Sequence, residues 1–195
     1  YKYSFADQLL IFGQRPDATA CAELSLWNDR MGRWVNRGAN GIAVFDGEHN
    51  GKPRLKYYFD ISDTHEARFP RPVPLWTVRE EYAPDIIETL ENSFGELEHK
   101  EDLGEALLSA AKNAVEDNLQ DYFSQLKDCT KDSFLEELDD FNIEVIYRRL
   151  AANSVAFMLI SRCGLDMNEF FDRDDFADIV NFNTPAMINA IGVAT

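Results

Sequence analysis

The sequence predicts an α+β fold, in which a small amino-terminal unit of helices and antiparallel strands is followed by an all-helical bundle. Two patterns predict it. Short β-prone runs separated by glycine-containing turns occupy residues 34–61. From Glu80 onward, apolar side chains recur with the period of an α-helix.

The boundary between the two parts is predicted in a proline-rich stretch. Pro70, Pro72 and Pro74 cannot donate to a strand ladder, and they favour an extended crossover. We therefore expect an α+β unit at residues 1–73 and an acidic helical bundle at residues 74–195, packed together as one fragment of a larger protein.

The amino-terminal unit begins with a helical pattern. Phe5 and Leu9 recur at helical spacing, and Gly13 suits the left-handed turn that ends a helix. The pattern resumes over residues 18–31 and predicts a second helix, which Gly32 terminates.

Beyond Gly32 the pattern changes from helical to β-prone. The runs Trp34-Val35, residues 42–45 and residues 55–61 are separated by the turn residues Asp46-Gly47 and Asn50-Gly51. They predict two or three antiparallel strands.

Three helices are predicted within the bundle. An apolar stripe from Leu103 to Leu126 predicts one long helix, and residues 143–159 predict a second, which is apolar nearly all round in its later half and therefore central. The pair Thr184-Pro185 gives a capping hydroxyl and a first-turn proline, and Gly192 gives a stop, so a short last helix is predicted between them.

Composition limits the class of protein. The chain has 195 residues, 45% hydrophobic and 28% charged, and a formal net charge of −16. These values are typical of ordinary globular proteins. Its three cysteines are widely spaced and odd in number, which favours reduced thiols, and no apolar run reaches the roughly 18 residues of a membrane span. We expect a cytoplasmic protein with no membrane partner, cut from a longer polypeptide because it opens on Tyr1 without an initiating Met.

The charge is unevenly distributed along the chain. Residues 1–60 carry eight Lys or Arg against seven Asp or Glu, which gives +1 and leaves −17 for residues 61–195. A basic and aromatic stretch in the first part stands out against this acidic background. Its members are Trp27, Arg30, Arg33, Trp34, Arg37, Gly38 and Gly41.

This stretch predicts a nucleic-acid site. Guanidinium groups form forked hydrogen bonds with phosphate, glycines let backbone amides approach an anion, and exposed indoles stack on unpaired bases. Three further cations of the predicted hairpin, Lys52, Arg54 and Lys56, are added to the site. The alternative is that Trp27 and Trp34 anchor the core, the glycines serve the turn and the arginines pair with acidic residues.

A family resemblance favours the nucleic-acid interpretation. It is carried in the first part of the chain by the stretches Tyr3-Ser4-Phe5, Asp7-Gln8-Leu9-Leu10-Ile11, Gln14-Arg15-Pro16-Asp17-Ala18-Thr19, Trp27, Met31-Gly32-Arg33-Trp34-Val35 and Arg37-Gly38-Ala39-Asn40-Gly41-Ile42-Ala43. Through these stretches, residues 1–61 resemble the amino-terminal, single-strand-binding domain of the antirestriction ArdC family. Later stretches include Glu91-Asn92-Ser93-Phe94-Gly95-Glu96-Leu97 and Asn181-Phe182-Asn183-Thr184-Pro185. With these included, the whole chain resembles the amino-terminal region of large conjugative-transposon and phage proteins that combine a DNA methylase with a helicase.

The resemblance implies an accessory DNA-binding module. This chain has Asn36 and Asn40 where the ArdC family tends to place a lysine, so fewer charges meet phosphate there. Neither a methylase motif nor a helicase phosphate loop occurs in the sequence. We therefore expect no catalytic activity and no cofactor in this part of the polypeptide, and DNA and the remaining domains of the parent as partners.

Metal sites are the main catalytic alternative. The group Asp63, His65 and Glu66 has ligand chemistry, but no helical His-Glu-x-x-His pair or zinc-type cysteine spacing accompanies it. The acidic run of residues 166–178 lacks the glycine and the closing glutamate of a calcium loop, which favours helix caps.

Two other function classes remain open for the acidic part. As a protein-interaction domain it would dock the catalytic parts of the parent, and it would expose a large apolar patch within residues 100–190. As a duplex mimic its carboxylates would compete with DNA for a restriction enzyme.

Overall fold

The computed structural model describes residues 3–73 and 78–195 and confirms the α+β fold. The chain divides into two compact units, Tyr1–Leu75 and Trp76–Thr195. The division falls in the proline-rich stretch. Pro74, where we place the start of the bundle, lies outside the described residues.

Among the residues described, the first unit contains one α-helix and five strands. They are α1 (Phe5–Gln14), β1 (Cys21–Glu23), β2 (Arg33–Val35), β3 (Ile42–His49), β4 (Lys52–Asp60) and β5 (Thr64–Glu66). Three strands form an antiparallel sheet in the order β1-β4-β3, and β2 pairs antiparallel with β5 in a separate two-stranded sheet. The predicted first helix and the predicted β3–β4 hairpin are confirmed, but Gly13 lies within α1 without a positive φ and does not end the helix.

The predicted second helix over residues 18–31 is wrong in its first half. Cys21 instead pairs with Asp60 in the β1–β4 ladder, and helical structure is confined to a short stretch that includes the π-helical turn Leu26–Arg30. The edge of β4 offers backbone partners that a helix would leave unused, so this tertiary pairing overrides a weak local pattern.

The three-stranded sheet has one covered and one partly bare face. Ile42, Val44 and Tyr58 are buried and pack against Leu10 and Ile11 of α1. On the opposite face, three large apolar side chains stay exposed; they are Phe45, Leu55 and Tyr57. A bulge interrupts the β3–β4 ladder between Phe45 and Glu48.

A buried carboxylate fixes the end of β4. Asp60 is 1% exposed, and its Oδ1 accepts hydrogen bonds from the backbone N–H groups of Thr19 at 2.8 Å and Ala20 at 2.9 Å. Its Oδ2 accepts from the backbone N–H of Ser62 at 3.0 Å and from the Ser62 hydroxyl at 2.6 Å. Burial alone would raise the pKa of Asp60, but the hydrogen bonds from Ser62, Ala20 and Thr19 outweigh it and hold that pKa below its ordinary value.

The second unit is helical in the residues described. Its α-helices are α2 (Ala83–Phe94), α3 (Leu103–Asp117), α4 (Leu119–Lys127), α5 (Asp140–Cys163) and α6 (Pro185–Ala194). Short 3-10 turns cover Glu80–Tyr82, Met167–Glu169 and Asp174–Asn181.

Capping residues explain several helix ends. The carboxylates of Asp102 and Asp139 accept from the backbone N–H groups that open α3 and α5, each at 3.0 Å. Thr184 caps α6 as predicted, accepting from the Met187 N–H at 3.2 Å, although α6 continues past Gly192 to Ala194.

The single helix predicted from Leu103 to Leu126 is divided at Asn118 into α3 and α4.

The long helix α5 is central, as predicted. It contributes Ile143, Tyr147 and Leu150 to the main hydrophobic core, where they meet Leu126 of α4 and Met187 of α6. None of the helices in the described residues is long and apolar enough to cross a membrane.

Replacing Asp60 tests the role of its carboxylate. In Asp60→Asn an amide nitrogen takes the place of one oxygen and faces donors, so we expect a loss of about 3 kcal/mol of unfolding free energy. The pKa of Asp60 in the folded state lies below its unfolded value of about 3.9. The stability that comes from its charge is therefore fully present above about pH 3.9 and is lost as the pH falls through the lowered pKa. Urea unfolding followed by tryptophan fluorescence at several pH values measures both effects.

Asp17→Asn is the matched control for this experiment. The Asp17 side chain is 77% exposed and pairs with Arg15 at 3.2 Å, so its loss should change stability by less than about 0.5 kcal/mol. Equal stability losses in the two variants would contradict a special role for Asp60.

Candidate nucleic-acid interface

Arg33 lies in β2, and Arg30 and Arg37 lie on either side of this strand. Antiparallel pairing between the two segments extends one residue beyond β2 and β5 at each end. Beside the paired strands, Asn36 N–H donates to the Asp63 carbonyl at 2.8 Å, and Ala67 N–H donates to the Gly32 carbonyl at 2.9 Å. Arg71 N–H donates to the Met31 carbonyl at 2.9 Å. We call residues 30–37 and 64–71 the basic ribbon, because they contain five arginines and one acidic residue, Glu66.

Four of the five arginines are exposed and form no ion pair within the described parts of the chain. They are Arg30, Arg37, Arg68 and Arg71. Their charges are therefore available to an anion.

Arg33 has a different role from the one predicted. Its side chain is 14% exposed, its Nε donates to Thr64 Oγ1 at 2.8 Å, and its Nη1 pairs with Glu66 at 3.1 Å. The guanidinium is neutralised where it joins the two strands. The prediction that Arg33 is a free phosphate contact is therefore wrong. Arg33 instead links β2 to β5.

The prediction that Trp27 stacks on bases is also wrong. It is 2% exposed, and its indole N–H donates to the Phe59 carbonyl at 2.8 Å. A buried indole with a satisfied donor is a core anchor. The alternative interpretation is correct for this tryptophan.

Trp34, in contrast, is 51% exposed. It pairs across the ribbon with His65, so the two side chains lie on the same face. His65 Nδ1 lies 2.7 Å from Asn36 Oδ1, which holds the imidazole on this face. An indole and an imidazole side by side form a surface on which bases can stack.

A second exposed ring of the ribbon lies in the bend that follows β5. Phe69 is 79% exposed, and the Arg68 guanidinium lies 5.4 Å from its ring centroid. A cation over a ring combines stacking and charge in one element. Arg68, Phe69 and Arg71 were not predicted as site residues from the sequence. Their arginine–aromatic composition repeats that of residues 30–37, but the pairing that joins the two segments is non-local.

Gly38 and Gly41 serve different purposes. The Ala39 N–H donates to the Asn36 carbonyl at 3.0 Å, and Gly38 has a φ of +87°, as the third residue of a type II turn requires. No atom lies within 4 Å of the place where a Gly38 Cβ would stand, so the backbone is open there. A Cβ on Gly41 would stand 3.0 Å from Tyr57 Cβ, so Gly41 allows the Tyr57 side chain to pack closely against the backbone.

The three hairpin cations lie outside the ribbon. Arg54 pairs with Asp46 at 3.2 Å, and Lys56 stands 5.3 Å from the Tyr58 ring centroid, where a hydrogen bond with the Tyr58 side chain raises the lysine pKa. Lys52 is exposed near the tip of the hairpin. Lys52, Arg54 and Lys56 lie on β4, whereas Trp34 lies in the other sheet, so strand pairing does not bring these cations beside Trp34.

The side chains considered as a metal-site alternative, Asp63, His65 and Glu66, are engaged otherwise. Asp63 pairs with Arg15 at 2.9 Å and Glu66 pairs with Arg33, while His65 contacts Asn36. Across residues 3–73 and 78–195, no three His, Cys, Asp or Glu side chains are grouped closely enough to hold a metal ion.

The acidic run near the carboxyl end forms caps, as predicted. Asp166 accepts from the Asn168 N–H at 3.0 Å, and Asp172 accepts from the Asp174 N–H at 2.7 Å. Asp175 in turn accepts from the Asp172 N–H at 2.8 Å. These carboxylates are used by local backbone.

Comparison with known proteins gives no assignment: no family model matches the chain, and no curated protein or solved structure is significantly similar to it.

Gly32 tests the assembly of the ribbon. Its φ is +61°, and a Cβ there would stand 2.5 Å from the backbone carbonyl oxygen of Phe69. We expect Gly32→Ala to cost more than about 2 kcal/mol and to displace residues 67–71. Unfolding measurements and the rate of trypsin cleavage after Arg68 report these effects.

Gly38→Ala is the control, because Gly38 has a positive φ but open space around it. The backbone strain alone should cost about 1 kcal/mol and leave cleavage after Arg68 unchanged. If the two alanines behave alike, the contact between Gly32 and Phe69 does not order the ribbon.

Proposed function

We propose that this chain is a non-catalytic, single-stranded DNA-binding module of a larger cytoplasmic mobile-element protein with methylase and helicase domains. The observation that supports it best is the basic ribbon, which carries two exposed rings beside four unpaired arginines. The resemblance of residues 1–61 to the ArdC family points to the same ligand.

The chemistry of the ribbon favours single strands over duplex. Trp34 and Phe69 present ring faces that unpaired bases can stack on, whereas the bases of a duplex already stack on one another. Arg37, at the corner of an open type II turn, is available to a phosphate. Stacking and phosphate contact without base-edge readout give binding with little sequence preference.

The acidic second unit limits where DNA can bind. Residues 76–195 carry nine Lys or Arg against 26 Asp or Glu, a net charge of −17, whereas residues 1–75 carry ten against nine. The acidic surface of residues 76–195 repels a polyanion, so DNA binding is confined to the basic ribbon.

A protein-interaction function is the second candidate. On α5, Phe141 is 73% exposed and Val145 is 50% exposed, and their spacing of four residues places them on the same helix face. An exposed apolar face of this kind is typical of a docking surface. Failure to bind single strands at low salt would favour this candidate.

Stacking is tested with Trp34→Ala. We expect affinity for a labelled oligothymidylate to fall about tenfold, because stacking contributes about 1–3 kcal/mol per base, with no loss of stability. Fluorescence anisotropy titration of the full chain measures it. Phe12→Ala is the matched control, since Phe12 is 66% exposed on α1, away from the ribbon strands. Equal effects of the two variants would contradict the assignment.

Phosphate contact is tested through salt dependence. Each of Arg37→Gln and Arg71→Gln should lower the slope of log affinity against log salt by about 0.7, the value for one single-strand phosphate. Arg79→Gln removes an arginine that is 67% exposed in the second unit and should leave the slope unchanged. An unchanged slope in both ribbon variants would exclude these arginines from the interface.

A further inference from the structure

A cleft of about 470 Å³ lies on the second unit between the start of α2 and the residues that lead into α3. Its apolar lining is contributed by both segments; the residues are Ala83, Pro84, Ile87 and Leu103. Ile87 and Leu103 belong to the hydrophobic core beneath it, so the floor is held in place by packing.

The rim of this cleft is strongly acidic. Five carboxylates line it; they are Glu80, Glu88, Glu91, Glu101 and Asp102. One cation accompanies them, Lys100, which pairs with Glu91 at 2.6 Å, so five negative charges and one positive charge leave a net of −4. In the described part of the chain Glu80 and Glu88 are exposed and form no ion pair.

We propose that this cleft binds a cationic peptide segment, with one apolar side chain on the floor and Lys or Arg side chains at the rim. Charge complementarity selects this occupant. DNA is repelled by the rim, and long-range repulsion between two chains of net charge −16 disfavours a second copy as the occupant. The apolar floor provides burial that a small hydrophilic cation does not use. This proposal is independent of DNA binding by the basic ribbon.

Two rim carboxylates and two distant carboxylates give a charge-matched test. The probe is a short labelled peptide of alternating lysine and leucine, titrated against the full chain and followed by anisotropy. We expect saturable, salt-sensitive binding, and an affinity about fivefold weaker for the double variant Glu80→Gln, Glu88→Gln. The control double variant, Asp117→Asn with Glu137→Gln, has the same net charge, and its exposed sites lie outside the cleft. It should bind like the unaltered chain.

Two further peptides separate the contributions of rim and floor. A glutamate and leucine peptide should not bind, and a lysine and serine peptide should bind more weakly because the floor stays unfilled. Equal weakening in the two double variants would overturn the proposal, since it would mean attraction by net charge alone. Absence of binding by the lysine and leucine peptide would overturn it as well. Oligothymidylate binding should be the same in both double variants, which keeps this result separate from that of the ribbon.

Discussion

The Asp60 carboxylate is the constraint on which the architecture of the first unit depends. It receives hydrogen bonds from the loop before β1 and from the turn after β4, so one side chain fixes three segments at one place. That position sets β1 on the edge of β4 and sends the chain into β5. Because β5 is the partner of β2, the pairing that forms the basic ribbon follows from a carboxylate that is not part of the ribbon.

The ribbon divides its arginines between structure and surface. Arg33 joins the two strands through Thr64 and Glu66 and is thereby neutralised. The charges of the remaining arginines are not compensated within the ribbon, because its single carboxylate, Glu66, is already paired with Arg33. An internal ion pair thus gives the ribbon its order, while the exposed cations give it its affinity for anions.

The helical segments of α3 to α6 could be predicted because their signals are local, whereas α2 and the break at Asn118 were not predicted. Periodic apolar residues and capping residues such as Thr184 act within a few positions of one another. The strand Cys21–Glu23 could not be predicted, because it exists only through its pairing with β4. The same limit applies to the site, because composition could not distinguish the exposed Trp34 and Arg37 from Trp27 and Arg33. Trp27 and Arg33 are engaged by Phe59 and Glu66, which lie about thirty residues away in the sequence.

The bulge between Phe45 and Glu48 has a consequence for self-association. β3 is an outer strand of its sheet, and beside it an apolar face bearing Phe45, Leu55 and Tyr57 is left uncovered. A flat outer strand with such a face is a template for stacking chain upon chain into fibrils. The bulge twists this strand, and Glu48, which forms no ion pair within the described residues, places a negative charge on it, so strands added to this edge would be mismatched in hydrogen bonding and repelled at Glu48. The irregular edge thus disfavours strand-by-strand association beside the exposed Phe45, Leu55 and Tyr57 side chains.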